Sequence, residues 1–218
     1  MESHQTASSP DGGIVLIITA PSGAGKSSLL EALIGLDEGI AVSVSHTTRA
    51  PRPNDVDGRH YHFTTEAAFL QMRESGDFLE WAHVHGNYYG TSRRMIQERL
   101  EAGKDTVLEI DWQGAAQIRQ LLPEAVAVFI LPPSMEALED RLKKRGQDSA
   151  EVIAARLKAA RDEILQAKNF DYVIINDDFD QALSQLVAIV RAARCAWPRQ
   201  IARHAGLFAH FGIVPGTD

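Results

Sequence analysis

Apolar runs of strand length recur along this chain and alternate with segments whose apolar residues return every three or four positions. Residues 14–19 (I-V-L-I-I-T) form a short β-branched run, residues 21–25 punctuate it, and residues 26–34 carry helical spacing. Residues 41–45 alternate like a strand, and 106–110, 126–131 and 172–176 (Y-V-I-I-N) are further runs of strand length. Continuous apolar strands with helices between them predict a parallel sheet covered on both faces. The intervening helices have readable ends. Ser134 caps a helix whose Met135, Leu138 and Leu142 recur at three and four, and Gly146 stops it. Asp148 and Glu151 read as a capping-box-like pair opening a helix to about residue 167. A last long helix over 178–194 puts Leu183, Leu186, Val187 and Val190 on one face. Between Thr47 and Gly90 the pattern changes, with short alternating pieces at 60–63 and 78–84 around one helix at 66–74. The predicted fold class is α/β: a parallel sheet flanked by helices, with a small mixed-β lobe inserted into it.

Composition narrows the class of function. Hydrophobic residues make up 44% and charged residues 23% of 218 positions, enough to bury a sizeable core. The longest apolar run, 125–131, is far short of the roughly 18 residues a membrane helix needs, and residues 1–11 lack the basic and apolar regions of a signal peptide. A single cysteine, Cys195, forms no internal disulfide and fits a reducing cytoplasm. It has no evident activating partner and reads as buried or inert. The formal charge of −7 makes the chain a poor general binder of DNA or RNA. An anionic ligand then needs a local arginine cluster working against the net field.

The strongest chemical signal follows the first strand. Ala20, Pro21, Ser22, Gly23, Ala24, Gly25, Lys26 and Ser27, with Ser28 after them, form a phosphate-binding loop. Its glycines let backbone N–H groups converge on phosphate oxygens where a Cβ would intrude. Lys26 supplies a mobile charge, and Ser27 a hydroxyl for Mg²⁺, at a helix N-terminus that already favours anions. Ala20 stands where the full pattern has glycine; the following proline holds that position at negative φ, so glycine's freedom is not needed there. Residues 106–111 (T-V-L-E-I-D) end in Glu109 and Asp111, two carboxylates at i and i+2 on one strand face. At the carboxyl end of a parallel strand they lie where ligands bind, one able to hold Mg²⁺ through water and the other to hydrogen-bond a substrate.

Two arginine groups stand against the net charge. Arg49 and Arg52 lie in S-H-T-T-R-A-P-R-P, whose prolines stiffen the segment and hold the guanidinium groups ready. With the hydroxyls of Tyr61 and Tyr89 they suit a terminal phosphate. Arg141 and Arg145 are four apart on one helix and Arg156 is on the next; a hinge at Gly146 makes a lid that brings charge over transferring phosphates. Taken alone, Arg141 and Arg145 read as a solvated face, and so do Arg191, Arg194, Arg199 and Arg203. The pairs His60/His62 and His83/His85 read as packed or exposed strand histidines, and Trp81 and Trp112 as core.

Together these motifs resemble the guanylate kinase family of nucleoside-monophosphate kinases over about residues 14–178. Beside the segments quoted above, the likeness is carried by D-G-R-H-Y-H-F, G-N-Y-Y-G-T-S, E-I-D-W-Q-G, I-L-P-P-S, R-G-Q-D-S and I-I-N-D-D. The resemblance implies transfer of the terminal phosphate of ATP to GMP, or dGMP, with Mg²⁺. It implies a P-loop core over 14–46 and 92–194, a lid over about 134–168 and a GMP-binding lobe over 47–91. Residues 1–13 and 195–218 fall outside as an extension and a tail. Carried over by position, the P-loop serves the ATP phosphates and Asn176, also ATP-binding, sits near adenine, with Lys26, Arg49, Arg141, Arg145 and Arg156 as the catalytic charges. Arg49, Arg52, Tyr61 and Tyr89 hold the GMP phosphate, and Ser45, Glu80, Thr91 and Asp111 serve guanine. Glu109 stands where the family more often has Asp. Two other readings share the pattern: a scaffold of the same fold without catalysis, and a P-loop kinase of another acceptor. Retention of Lys26, Arg49, Glu80 and Asp111 favours the enzyme over the scaffold.

Overall fold

The structure, a computed structural model, describes residues 13–52, 55–84, 86–144, 146 and 149–213. The chain runs through β1 (Val15–Thr19), α1 (Lys26–Leu36), β2 (Ile40–Ser43), β3 (His46–Thr47), β4 (His62–Phe63), α2 (Glu66–Glu74), β5 (Phe78–Val84), β6 (Asn87–Ser92) and α3 (Arg93–Glu101). It continues through β7 (Asp105–Glu109), α4 (Trp112–Leu121), β8 (Val126–Leu131), α5 (Met135–Lys144), α6 (Ala150–Ile164), β9 (Tyr172–Ile175), α7 (Phe179–Arg194), α8 (Trp197–Arg203) and α9 (Ala205–His210).

Strands β2-β7-β1-β8-β9 form a parallel sheet, and β4-β3-β6-β5 a small mixed one, as the change of pattern after Thr47 predicts. Alternation along β1 divides the main core between two faces. Leu16 and Ile18 pack with Leu29, Leu30 and Leu33 of α1 and with Leu186 and Val190 of α7. Val15 and Ile17 face the opposite way, onto Ile96 of α3 and Ala115 and Ile118 of α4. Each fully buried aliphatic side chain here contributes about 1.5–3 kcal/mol. Because β1 and β7 are neighbours, with Ile18 opposite Glu109, the loop after β1 emerges beside Glu109 at the end of β7; Asp111, expected on the same strand face, lies past the strand at the start of α4.

Several sequence expectations are corrected by long-range contacts. The cap of α6 is Ser149, whose hydroxyl accepts from Val152 N; Glu151 takes no capping-box position, and Asp148 lies outside the described residues. Helix α6 ends at Ile164 and a 3₁₀ turn, Leu165–Asn169, continues it. Arg194 is no solvated charge: it donates to Asp37 and Asp105 at 2.6 Å each, tying α7 to both neighbouring segments. Arg199 likewise donates to the carbonyls of Gly13 and Glu124, whereas Arg191 and Arg203 are exposed. Trp81 and Trp112 are exposed rather than core, with Trp81 under the guanidinium of Arg73. Cys195 is also exposed. His60 Nδ1 accepts from Val56 N, and the His83 ring lies against Tyr88; His85 lies outside the described residues. Among the described residues, no helix is long and apolar enough to cross a membrane.

Candidate active site

The phosphate loop is held from three sides. Gly23 and Gly25 adopt φ of +95° and +94°, values that L side chains rarely reach. A Cβ on Gly23 would press on Leu138 and Leu142 of α5, and one on Gly25 would collide with the Asn176 side-chain amide. Asn176, buried after β9, donates through Nδ2 to the Ala24 carbonyl at 2.8 Å. Arg141 donates to the carbonyls of Ala24 at 3.3 Å and Asn176 at 2.8 Å, so its guanidinium braces the loop instead of lying in solvent. Arg156 of α6 reaches Ser22 Oγ at 3.3 Å. Arg145 lies outside the described residues. Helices α5 and α6 share a small core of Leu138, Leu142, Ile153 and Ala160, with Gly146 at φ +63° between them.

At the helix start, Ser27 Oγ donates to Glu109 Oε1 at 3.0 Å, and Lys26 Nζ is 3.7 Å from the same oxygen. Asp111 is used differently. It caps α4, accepting from Gly114 N at 2.9 Å and from Gln113 Nε2 at 3.0 Å. A hydroxyl and a carboxylate side by side at a phosphate loop are the hard oxygen donors that suit Mg²⁺.

Across the loop lies a cleft of about 230 Å³ lined by Ser22, Lys26, Glu109 and Asp111 on one side and by Ser45, Tyr61, Glu80 and Tyr89 on the other. Glu80 is 3% exposed and accepts from the Thr91 hydroxyl at 2.5 Å. Burial, with Asp111 nearby, pushes its carboxyl up to about 7 against the pull of Thr91. A register shift between Phe78 and Glu80 bulges β5 against β6 and re-aims that side chain. Burial, Glu109 and Tyr89 push the Tyr61 hydroxyl up to about 12, so it stays a neutral donor.

A second cleft of about 880 Å³ adjoins the first through Tyr61, Tyr89 and Glu109, and adds Arg49, Arg52 and Asp55. Arg49 is already ordered: it pairs with Asp55 at 2.8 Å and lies over the Tyr61 ring at 5.3 Å. The guanidinium of Arg52 is exposed, although its backbone N–H donates to Asp55. The structure thus sets Ser22, Lys26 and Asp111 across the first cleft from Ser45, Glu80 and the two tyrosines, with Arg49 and Arg52 beside the second. Arg141, Asn176 and Thr91 stand behind these walls, bonded to the loop or to Glu80, and Ser28 is exposed and lines neither cleft.

Three contributors escaped the sequence reading. Asp55 balances Arg49, Glu163 of α6 enters the first cleft, and Gly114 packs against Glu80. Asp55, three residues after Arg52, carried a local signal as an acid beside two arginines; Gly114 closes the E-I-D-W-Q-G segment without a role of its own being read there, and Glu163 carried no signal.

The guanylate kinase family model matches residues 13–193. The guanylate kinase of Cupriavidus pinatubonensis is 56% identical over 92% of this chain and 93% of its own. That of Methylobacillus flagellatus is 58% identical over 88% and 95%. The chain belongs to the guanylate kinase family. A solved guanylate kinase from Anaplasma phagocytophilum superposes with a TM-score of 0.77 at 34% identity, covering 93% of this chain and 97% of that one. The family resemblance carried by the P-loop and the arginine segment is therefore borne out over the full α/β unit. Helices α8 and α9 lie beyond the matched family region.

Proposed function

We propose that this chain transfers the terminal phosphate of ATP to GMP, giving ADP and GDP. The observation that carries the reading is the facing of two differently built walls: a phosphate loop on β1, and opposite it a buried carboxylate beside ordered cation and tyrosine groups. ATP lies with its phosphates in the loop from Ala20 to Ser28, with Lys26 neutralising charge on the transferring group and Asn176 keeping the loop in shape. The GMP phosphate meets Arg49, Arg52, Tyr61 and Tyr89. Guanine meets Glu80, held by Thr91, with Ser45 and Asp111 beside it. Since the base is what is read, dGMP serves equally.

Phosphoryl transfer leaves little covalent work for the protein, so positioning and charge dominate. The GMP phosphate oxygen attacks the γ-phosphorus in line while the bond to the β-phosphate oxygen breaks. Arg156, together with Arg145, supplies lid charge over that oxygen triangle, and Arg141 steadies the loop beneath it. Mg²⁺, when bound, draws charge from the phosphate oxygens, and Ser27 with Glu109 would hold it. In this arrangement residues 47–91 form the acceptor lobe, about 134–168 the lid, and 14–46 with 92–194 the core. Nucleotides rather than nucleic acids are the partners, and the cytoplasm is the place of reaction.

Lys26→Ala should nearly abolish phosphoryl transfer while GMP affinity stays within threefold of the parent, because the lysine serves the donor wall alone. A coupled ATP-consumption assay with GMP titration checks both halves. Near-parental turnover, or a collapse of GMP affinity in place of turnover, would overturn the assignment of the two walls.

A further inference from the structure

We propose that Gly114 and Gln117 of α4 are positioning residues that set acceptor-base specificity by fixing where the Glu80 carboxylate lies; this rests on the reading of Glu80 as the guanine-facing group.

Glu80 is on β5, an edge strand of the small mixed sheet, whereas α4 packs on the main sheet. The two meet at two points. Gln117 Nε2 donates to the Trp81 carbonyl at 2.8 Å, and its Oε1 accepts from Trp81 N at 3.2 Å. A side-chain amide thus takes the place of a missing neighbouring strand, satisfying both backbone groups of the residue next to Glu80. One turn earlier, Gly114 lies directly against the carboxylate. A Cβ built there would sit 2.5 Å from Glu80 Oε2 and 3.1 Å from its Cδ. The same residue's N–H donates to Asp111 Oδ1 at 2.9 Å. One glycine therefore sets both acidic groups facing the acceptor base, one by a hydrogen bond and one by the space it leaves.

This glycine is required by space and not by backbone freedom, since it sits within a regular helix and is not among the residues at positive φ. The colliding atom is the tip of a side chain, so an added methyl displaces the carboxylate rather than the backbone. Glu80 is otherwise enclosed by Thr91 and burial, and its displacement breaks the paired geometry that two adjacent N–H donors of a guanine require.

The test uses the full chain with Gly114→Ala, Glu80→Asp and the double variant. Gly114→Ala should lower kcat/KM for GMP on the order of 100-fold, with affinity for a non-hydrolysable ATP analogue unchanged. An aspartate at 80 ends one methylene short of the new methyl, so the double variant should keep at least tenfold more activity than the product of the two single losses allows. Parental GMP kinetics in Gly114→Ala, or losses that simply multiply, would overturn the inference. Carboxyl NMR supplies a readout independent of GMP: the titration midpoint of Glu80 should move by more than about half a unit in Gly114→Ala. An unchanged midpoint overturns the positioning role even if the parent chain uses no GMP, whereas a moved midpoint with no GMP use overturns only the proposed function. Should Gly114→Ala fail to fold, Gln117→Ala, which inserts nothing, should raise KM for GMP about tenfold, and an unchanged KM would count as refutation.

Discussion

Glu80→Gln should cut kcat/KM for GMP on the order of 1,000-fold while leaving ATP binding normal. Guanine presents N1–H and the N2 amino group side by side, and a carboxylate accepts both through charge-assisted hydrogen bonds. An amide offers one acceptor and turns its own N–H₂ toward the second donor. Hydrogen bonds to charged groups are worth about 1.5–3 kcal/mol, so weakening the bond that remains and replacing the other by a donor–donor contact costs about 4 kcal/mol. Glu80 is only 3% exposed, so bulk water has little access to repair the loss. Steady-state kinetics with GMP, beside ATP-analogue binding, checks the result; an untouched kcat/KM would sink the guanine-facing assignment. A pH signature accompanies it. Burial holds the Glu80 carboxyl up to about 7, and guanine favours the ionised form. GMP affinity should therefore fall by up to about tenfold per unit as pH drops below about 7. In Glu80→Gln that limb should vanish, leaving the phosphate's own titration near pH 6. The stability sign is opposite. The folded state binds this proton more tightly than the unfolded chain, so its contribution is present at low pH and is lost as pH rises through about 7.

Arg156→Ala should lower kcat by about 10³ with little change in either KM, as for a charge that acts mainly on the transferring group. Its guanidinium already reaches Ser22 of the loop at 3.3 Å, so it stands on the donor side of the cleft and not on the acceptor wall. Arg141 offers the contrast. Both of its hydrogen bonds go to carbonyls that shape the loop, so its removal should weaken ATP binding as well as turnover. Initial-rate kinetics with each substrate varied in turn separates the two. A change confined to KM in Arg156→Ala would contradict the assignment of α6 as a source of transition-state charge.

What the sequence made legible was governed by range. Four strands of the parallel sheet announced themselves as continuous apolar runs and β2 by its alternation, and the P-loop because its backbone demands are met by neighbours in the chain. Helices α3 and α4 were not read: R-R-M-I-Q-E-R-L-E and W-Q-G-A-A-Q-I-R-Q-L present narrow apolar stripes, and tertiary packing through Ile96, Ala115 and Ile118 decides them. The two-residue strand β3 exists only through its partners across the mixed sheet. Arg194 looked like a solvated charge because its acids, Asp37 and Asp105, are distant in sequence. Within the site, residue types were legible and their support was not. Nothing local in the sequence says that Asn176 and Arg141 brace Ala24, or that a bulge in β5 aims Glu80.

One acceptor panel decides whether Glu80 reads guanine: the purified chain, ATP and Mg²⁺, with GMP, dGMP, AMP, CMP or UMP, followed by ATP consumption. Sites built to hydrogen-bond a group reject an analogue lacking it by ~10⁴ or more. Adenine offers an unprotonated N1 and no 2-amino group to Glu80. Consumption should be rapid with GMP and dGMP, and kcat/KM for AMP lower by about 10⁴. AMP used within tenfold of GMP, or no consumption with any acceptor, would contradict that reading.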